Sequence, residues 1–186
     1  SLFDAGVDSV TYADSIDLYK GSQSTLWGPG AIGGAININT GGALEDSVTV
    51  KGGSNNTAGV GINYFTAQPS GIYSIKVFQE TSDGYSIVEG GDADGYGYQT
   101  LNFDSTHHTN VGKIATTVVY RDSDAELDGS GTDDTDYTSD SKFYFLQARY
   151  ESDLFNFVID QNVHDREYVN GSEIDNYDSV FFFFFF

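Results

Sequence analysis

The 186-residue sequence carries 28 Asp and Glu against 8 Lys and Arg, a formal net charge of −20. That balance excludes a nucleic-acid binder, which neutralises phosphates with basic side chains, and points to cations or polar ligands as partners. With no cysteine, disulfides, thiolate zinc sites and cysteine nucleophiles are excluded as well.

The chain begins without an initiator Met or a charged-then-apolar leader. Its first distinctive string is GPGAIGG, which spells G-x-G-x-x-G at Gly28, Gly30 and Gly33. A dinucleotide site would need a helix opening on these glycines and an acidic residue about 20 positions later. Instead Ile36 and Ile38 alternate with Asn37 and Asn39, a period of two that predicts a strand. The spacing therefore predicts strand, glycine-rich turn and strand over residues 15–40.

Beyond Thr40 the sequence becomes a ladder of alternating segments, and its Tyr, Phe, Gly, Thr and Val content favours strands. Strands are predicted around Val48 and Val50; Val60, Ile62 and Tyr64; Tyr73, Ile75 and Val77; Leu101 and Phe103; Ile114 and Val118; Tyr144 and Leu146; and Phe155 and Phe157. Turns are expected at SNNT, QPSG, HHTN and Ser152–Asp153, and long acidic loops over 82–97 and 122–140. The apolar set is expected to face one way. Lys51, Asn63, Lys76, Asn102, Asp104, Lys113, Arg149, Asn156 and Asp160 are expected to face the other. After the first hairpin, short turns and long polar loops take turns, as in outer-membrane barrels; a soluble β-protein also alternates and stays open at this point. No run reaches the roughly 20 apolar residues of a membrane helix, so membrane insertion would require a closed barrel. The six phenylalanines at 181–186 have no folding logic and are read as an end-of-sequence artefact.

The segment SIDLYKGSQSTLWGPGAIGGAININT, residues 15–40, resembles the end of the plug domain of TonB-dependent outer-membrane receptors. There a strand reading I-E-V-x-R-G-P precedes x-S-x-L-Y-G, a loop and A-x-G-G-x-I-N-I-x-T. The matching residues include Gly21, Ser24, Leu26, Gly28, Ala31, Gly33, Gly34, Ile36 and Asn37. Lys20, Ser22 and Trp27 depart from the usual Arg, Pro and Tyr, and Lys cannot reproduce a bidentate Arg fork. The resemblance implies an all-β chain: the last part of a plug at 1–43, inside the curve of about the first seven strands of a larger transmembrane antiparallel barrel at 44–180. It implies the outer membrane of a Gram-negative bacterium, lipid around the barrel, and a TonB-type energising protein acting through a missing N-terminal segment. The cargo would be a scarce large nutrient, cobalamin or a metal chelate, and the acidic loops look most like those of cobalamin receptors. The alternative is a secreted calcium-binding β-domain or adhesin-like protein.

Both readings give the loop carboxylates a role. Asp92, Asp94, Asp122, Asp124 and Asp128 are the candidate calcium ligands, since calcium takes six to eight oxygens and D-x-D steps near glycine supply them; calcium ordering of such loops is implied by the cobalamin-receptor likeness. Asp83, Glu89, Asp133, Asp134 and Asp136 enrich the same loops, whose bland alternative is a solvated acidic surface. Tyr85, Tyr96, Tyr98 and Tyr137 are candidates to stack on a large ligand, the alternative being an interface girdle. His107, His108 and His164 are expected to be turn or surface residues. No covalent cofactor is expected, and no residue grouping supports an enzyme.

Overall fold

The computed structural model describes residues 15–22, 32–39, 45–86, 88, 91–128, 137–170 and 173–185. They form ten strands in antiparallel sheets. The chain divides into two compact units, Ser1–Ala43 and Leu44–Phe186.

The first unit holds β1 (Ser15–Lys20) and β2 (Gly34–Asn39), paired from Ser15↔Asn39 to Lys20↔Gly34. The period-two pattern explains the pairing, because this register brings Leu18 opposite Ile36 and Ile16 opposite Ile38. Gly34 has φ +149°, and a Cβ there would stand 2.5 Å from the Tyr19 carbonyl oxygen. The glycines thus lead into a strand, and the helix N-terminus that a pyrophosphate requires is not formed at Gly34. Ser24, Leu26, Gly28 and Ala31 of the plug-like motif lie outside the described residues.

The second unit is one eight-stranded antiparallel meander with β3 and β10 at its edges. Its strands are β3 (Ser47–Gly52), β4 (Ala58–Gln68), β5 (Gly71–Ser82), β6 (Tyr96–Thr109), β7 (Gly112–Glu126), β8 (Tyr137–Glu151), β9 (Asn156–Asn170) and β10 (Glu173–Phe185). At one end, here the turn end, the connections are Pro69–Ser70, Asn110–Val111 and 152–155, all short. The opposite, loop end carries both long connections, 83–95 and 127–136, together with the shorter 53–57 and the β9–β10 link. Several boundaries differ from the sequence reading. The acidic stretches expected as loops over 82–97 and 122–140 shorten to 83–95 and 127–136, because the ladders run on to Ser82↔Tyr96 and Glu126↔Thr138, so Asp122 and Asp124 stand in β7 and not in a loop. His107 and His108 belong to β6, and the turn falls at Asn110–Val111, because the ladder continues through His108↔Lys113 to Thr109↔Gly112. An eighth strand, β10, continues through Phe185 and pairs along β9.

Cross-strand partners in an antiparallel sheet share a face, so the register sorts every side chain. One row reads Val48, Ile62, Val77, Leu101, Tyr120, Tyr144 and Val163. The next rows toward the turn end read Tyr64, Ile75, Phe103, Val118, Leu146 and Gln161, then Thr66, Tyr73, Ser105, Thr116, Ala148 and Ile159, then Gln68, Gly71, His107, Ile114, Tyr150 and Phe157. No position in these four rows is Asp, Glu, Lys or Arg, although 19% of the chain is charged. Much of this face is exposed: Ile62 59%, Tyr64 55%, Val77 47% and Leu146 46%.

The other face is polar and crowded. Of the seven basic residues of this unit, Lys51, Lys76, Lys113, Arg121, Arg149 and Arg166 stand in its rows, leaving Lys142 on the apolar-rowed side. Asn63, Lys76 and Asn102 are buried in one cross-strand row. Phe78, 1% exposed, lies across Gly59, where a Cβ would come 2.8 Å from the ring, and Tyr98 packs on its other side at 5.7 Å between centroids. Just above, the Glu80 carboxylate takes a 2.7 Å ion pair from Lys51 and a 2.9 Å hydrogen bond from the Tyr96 hydroxyl. A carboxylate this buried is tolerated only when so held. Thr117 donates to Asp104 at 2.8 Å, and Ser141 meets His164 Nε2 at 2.8 Å. Alternating sequence has thus produced one apolar exposed face and one polar face crossed by ion pairs and hydrogen bonds.

Candidate functional site

The loop end gathers the residues whose chemistry exceeds a structural need. Connection 83–95 leaves β5 and returns to β6, and its base is closed by backbone. Gly84, with φ +65°, lies so close to Asp94 that a Cβ there would overlap the Asp94 carbonyl oxygen. The Glu126 N–H donates to the Gly95 carbonyl at 2.8 Å, and the Gly95 N–H donates to the Glu126 carboxylate at 2.8 Å. The β3–β4 turn braces the other side. Asp83 N–H donates to the Asn55 carbonyl at 2.9 Å, Asn56 Nδ2 to the Asp83 carboxylate at 2.5 Å, and Thr57 Oγ1 meets Ser82 Oγ at 2.9 Å. Closed-ended polar loops of this kind are frequent carriers of function.

Within the loop, Ser86 Oγ donates to the Val88 carbonyl at 2.9 Å and to Asp128 Oδ2 at 3.2 Å. The second bond ties this loop to the start of the 127–136 connection. Gly129 through Asp136, and with them Asp133 and Asp134, lie outside the described residues, as does Glu89.

Beside these loops, above the charge-free rows, runs an open cleft of about 700 Å³. Asp122, Asp124, Asp140, Lys142, Asp165 and Glu167 line it. Two rows build it: Gln79, Gln99, Asp122, Lys142 and Asp165, and beyond them Thr81, Gly97, Asp124, Asp140 and Glu167. Asp122 accepts from Gln99 Nε2 at 3.3 Å and from the Tyr120 hydroxyl at 3.1 Å. Asp124 stands directly opposite Asp140 at the projecting end of β7. Burial pushes its carboxyl above the ordinary range, and the Asp140, Asp122 and Glu126 carboxylates add to the rise. This stretch is therefore held most firmly below the ordinary carboxylate pKa and loosens as pH rises through the raised value of Asp124.

The candidate residues fall into two sets. Asp122 and Asp124 lie on the cleft side of the sheet, Asp128 is bound to Ser86, and Asp92 and Asp94 belong to the closed loop. Among the described residues, no three acidic or histidine side chains are gathered tightly enough to hold a metal ion. Tyr96, Tyr98 and Tyr137 stand on the opposite, polar face. Tyr96 serves Glu80, Tyr98 is 5% exposed against Phe78, and Tyr137 meets Tyr168 at 6.4 Å. Tyr85 alone of the four projects, 69% exposed, from the closed loop. The sequence reading missed Ser86, Glu126 and Gly84 as the residues that close and couple the loops. An isolated glycine in a polar stretch hinted at the last, whereas the other two depend on pairings between distant segments.

No protein-family model and no curated protein matches the chain.

Proposed function

We propose that the chain is part of an outer-membrane β-barrel receptor that takes up a scarce, large nutrient, cobalamin-like or an iron chelate, with energy from a TonB-type partner. The observation that carries the membrane reading is the set of four charge-free rows across β4 to β9, the first of them reaching β3, backed by a face that holds all but one of the unit's basic residues. A soluble sheet buries its apolar face and wets its polar one. Here the apolar face is the exposed one, as lipid contact requires.

The rows also slant. The apolar stretch runs from Val60 to Tyr64 on β4 but from Tyr144 to Tyr150 on β8, one row lower at the top and two at the bottom. At ~3.4 Å per residue and ~4.8 Å between strands, that is a tilt of roughly 20–35°, approaching the ~35–45° of membrane-barrel strands. The open edges at β3 and β10 leave room for further strands. The plug-like motif of residues 15–40 supports the receptor reading.

Spin labels placed singly in the intact protein in vesicles test this. Labels at Val60, Ile75, Val118 and Leu146 should be relaxed by oxygen and those at Asn63, Asn102 and Asp104 by a water-soluble nickel chelate. The reverse pattern would sink the barrel reading and leave the secreted β-domain.

Within this function the acidic loops and cleft hold calcium, with Asp92, Asp94, Asp122, Asp124 and Asp128 as ligands. In calcium-free buffer, Asp124→Asn should slow amide exchange in β7 and β8 slightly, because a like-charge pair directly opposite costs about 0.2–1 kcal/mol. Calcium should order the parent loops but not those of the variant combining Asp92→Asn with Asp124→Asn. Equal responses would return the loops to a solvated acidic surface.

A further inference from the structure

At the turn end two connections are joined by one side chain. The Tyr150 hydroxyl donates to the Val111 carbonyl at 2.9 Å, and the Tyr150 ring meets Phe155 at 5.4 Å. Its ring lies over Gly112, where a Cβ would come 2.9 Å from the phenol. The β6–β7 and β8–β9 turns are thereby knitted into a single surface. Its apolar residues stand out into solvent: Leu154 is 91% exposed, Val111 74% and Phe155 60%. The charges of the flanking strands are drawn to the other face, where Lys113 and Arg149 both meet Glu151, at 3.2 and 3.5 Å, and within the turns Asp153 is the one charged residue.

The length of the apolar stretch decides what covers this surface. On β8 it is capped above by Lys142 and ends below at Tyr150. Tyr144 to Tyr150 spans ~20 Å along the strand, or about 14–19 Å of membrane depth at a tilt of 20–45°. A barrel's apolar band is about 25 Å tall, so the strand is too short alone. The Ser152 N–H bond to the Phe155 carbonyl, 3.1 Å, continues the ladder by one row. Counting to Phe155 gives ~27 Å along the strand and about 19–25 Å of depth, which narrows the deficit and brings the band up to its full height at the lower tilts.

We infer that the β6–β7 and β8–β9 turns are immersed in the interfacial layer of the bilayer, with Val111, Leu154 and Phe155 in contact with lipid. This rests on the membrane-barrel reading and adds that the bilayer boundary lies at the turns, beyond the last strand residues. These 186 residues hold no cysteine, so single cysteines placed here, in an intact protein freed of any cysteine elsewhere, can carry an environment-sensitive nitrobenzoxadiazole probe after reconstitution in phosphatidylcholine vesicles. At Leu154→Cys and Val111→Cys the emission should be blue-shifted and quenched at least about twofold more by brominated lipid than by aqueous iodide. Asp153→Cys, in the same turn, should show the opposite preference. Val77→Cys, within the charge-free rows, separates the two levels of the argument. Lipid quenching at Val77 with aqueous emission at Leu154 and Val111 overturns the inference and leaves the barrel standing. Aqueous emission at Val77 as well overturns both.

Discussion

Replacing Leu146 by arginine should destabilise the protein in a bilayer by about 1–3 kcal/mol, between the cost of a cation at mid-membrane on a barrel's lipid face and the smaller cost near the interface, since Leu146 lies one row below Tyr144. Leu146 lies in the second charge-free row, between Val118 and Gln161. It is 46% exposed in the sheet itself, so in water the same change would fall within the small range usual for surface substitutions, about ±0.5 kcal/mol. The two environments therefore give separate answers for one substitution. Reversible urea unfolding of the intact protein in vesicles, compared with Leu146→Ala, measures the difference. A change below about 1 kcal/mol relative to the alanine variant would remove lipid from that face.

The second large effect is expected at the base of the closed loop. Gly84→Ala places a side chain at φ +65°, which costs an L-residue about 1–2 kcal/mol. It also drives a Cβ into the Asp94 carbonyl, so backbone must move. The contact cannot be relieved by a rotamer change, and the loop base should open. Amide exchange at Gly95 and Glu126, whose backbone and side-chain bonds seal that base, should accelerate by one to two orders of magnitude, the exchange equivalent of about 1.4–3 kcal/mol. Exchange at Val77 and Leu101, well inside the sheet, should stay as in the parent. Unchanged exchange at Gly95 would mean that the loop is not held by this approach.

The strands were legible because a half-exposed sheet writes itself as a period of two, and each exchange of Val, Ile or Tyr with Asn, Lys or Asp marks a face. Where both faces become polar, that signal fades. In β9, Asp165 and Glu167 on one side and His164 and Arg166 on the other give no alternation, and β10 is missed because its run of phenylalanines from Phe181 carries no alternation and reads as an artefact. The HHTN string reads as a turn by composition, yet His107 and His108 have cross-strand partners on β7 and are held by the ladder. At the candidate site the carboxylates were visible as composition. Their division between a cleft row and a closed loop was not, since it depends on which residue of β7 meets which residue of β6 and β8. The tyrosines show the same gap: Tyr98 lies in an acidic, glycine-rich neighbourhood in sequence but packs on Phe78 from another strand.

The tight Pro69–Ser70 and Asn110–Val111 turns have an evolutionary consequence. Adding one residue inside a strand would carry Lys76 or Lys113 across to the apolar rows, so length changes at the turn end are strongly opposed. The 83–95 connection, sealed at its base by Gly84, Gly95 and Glu126, can lengthen, shorten or change composition while β5 and β6 keep their pairing. Descendants of such a chain can change the chemistry of the loop end while inheriting the sheet unchanged.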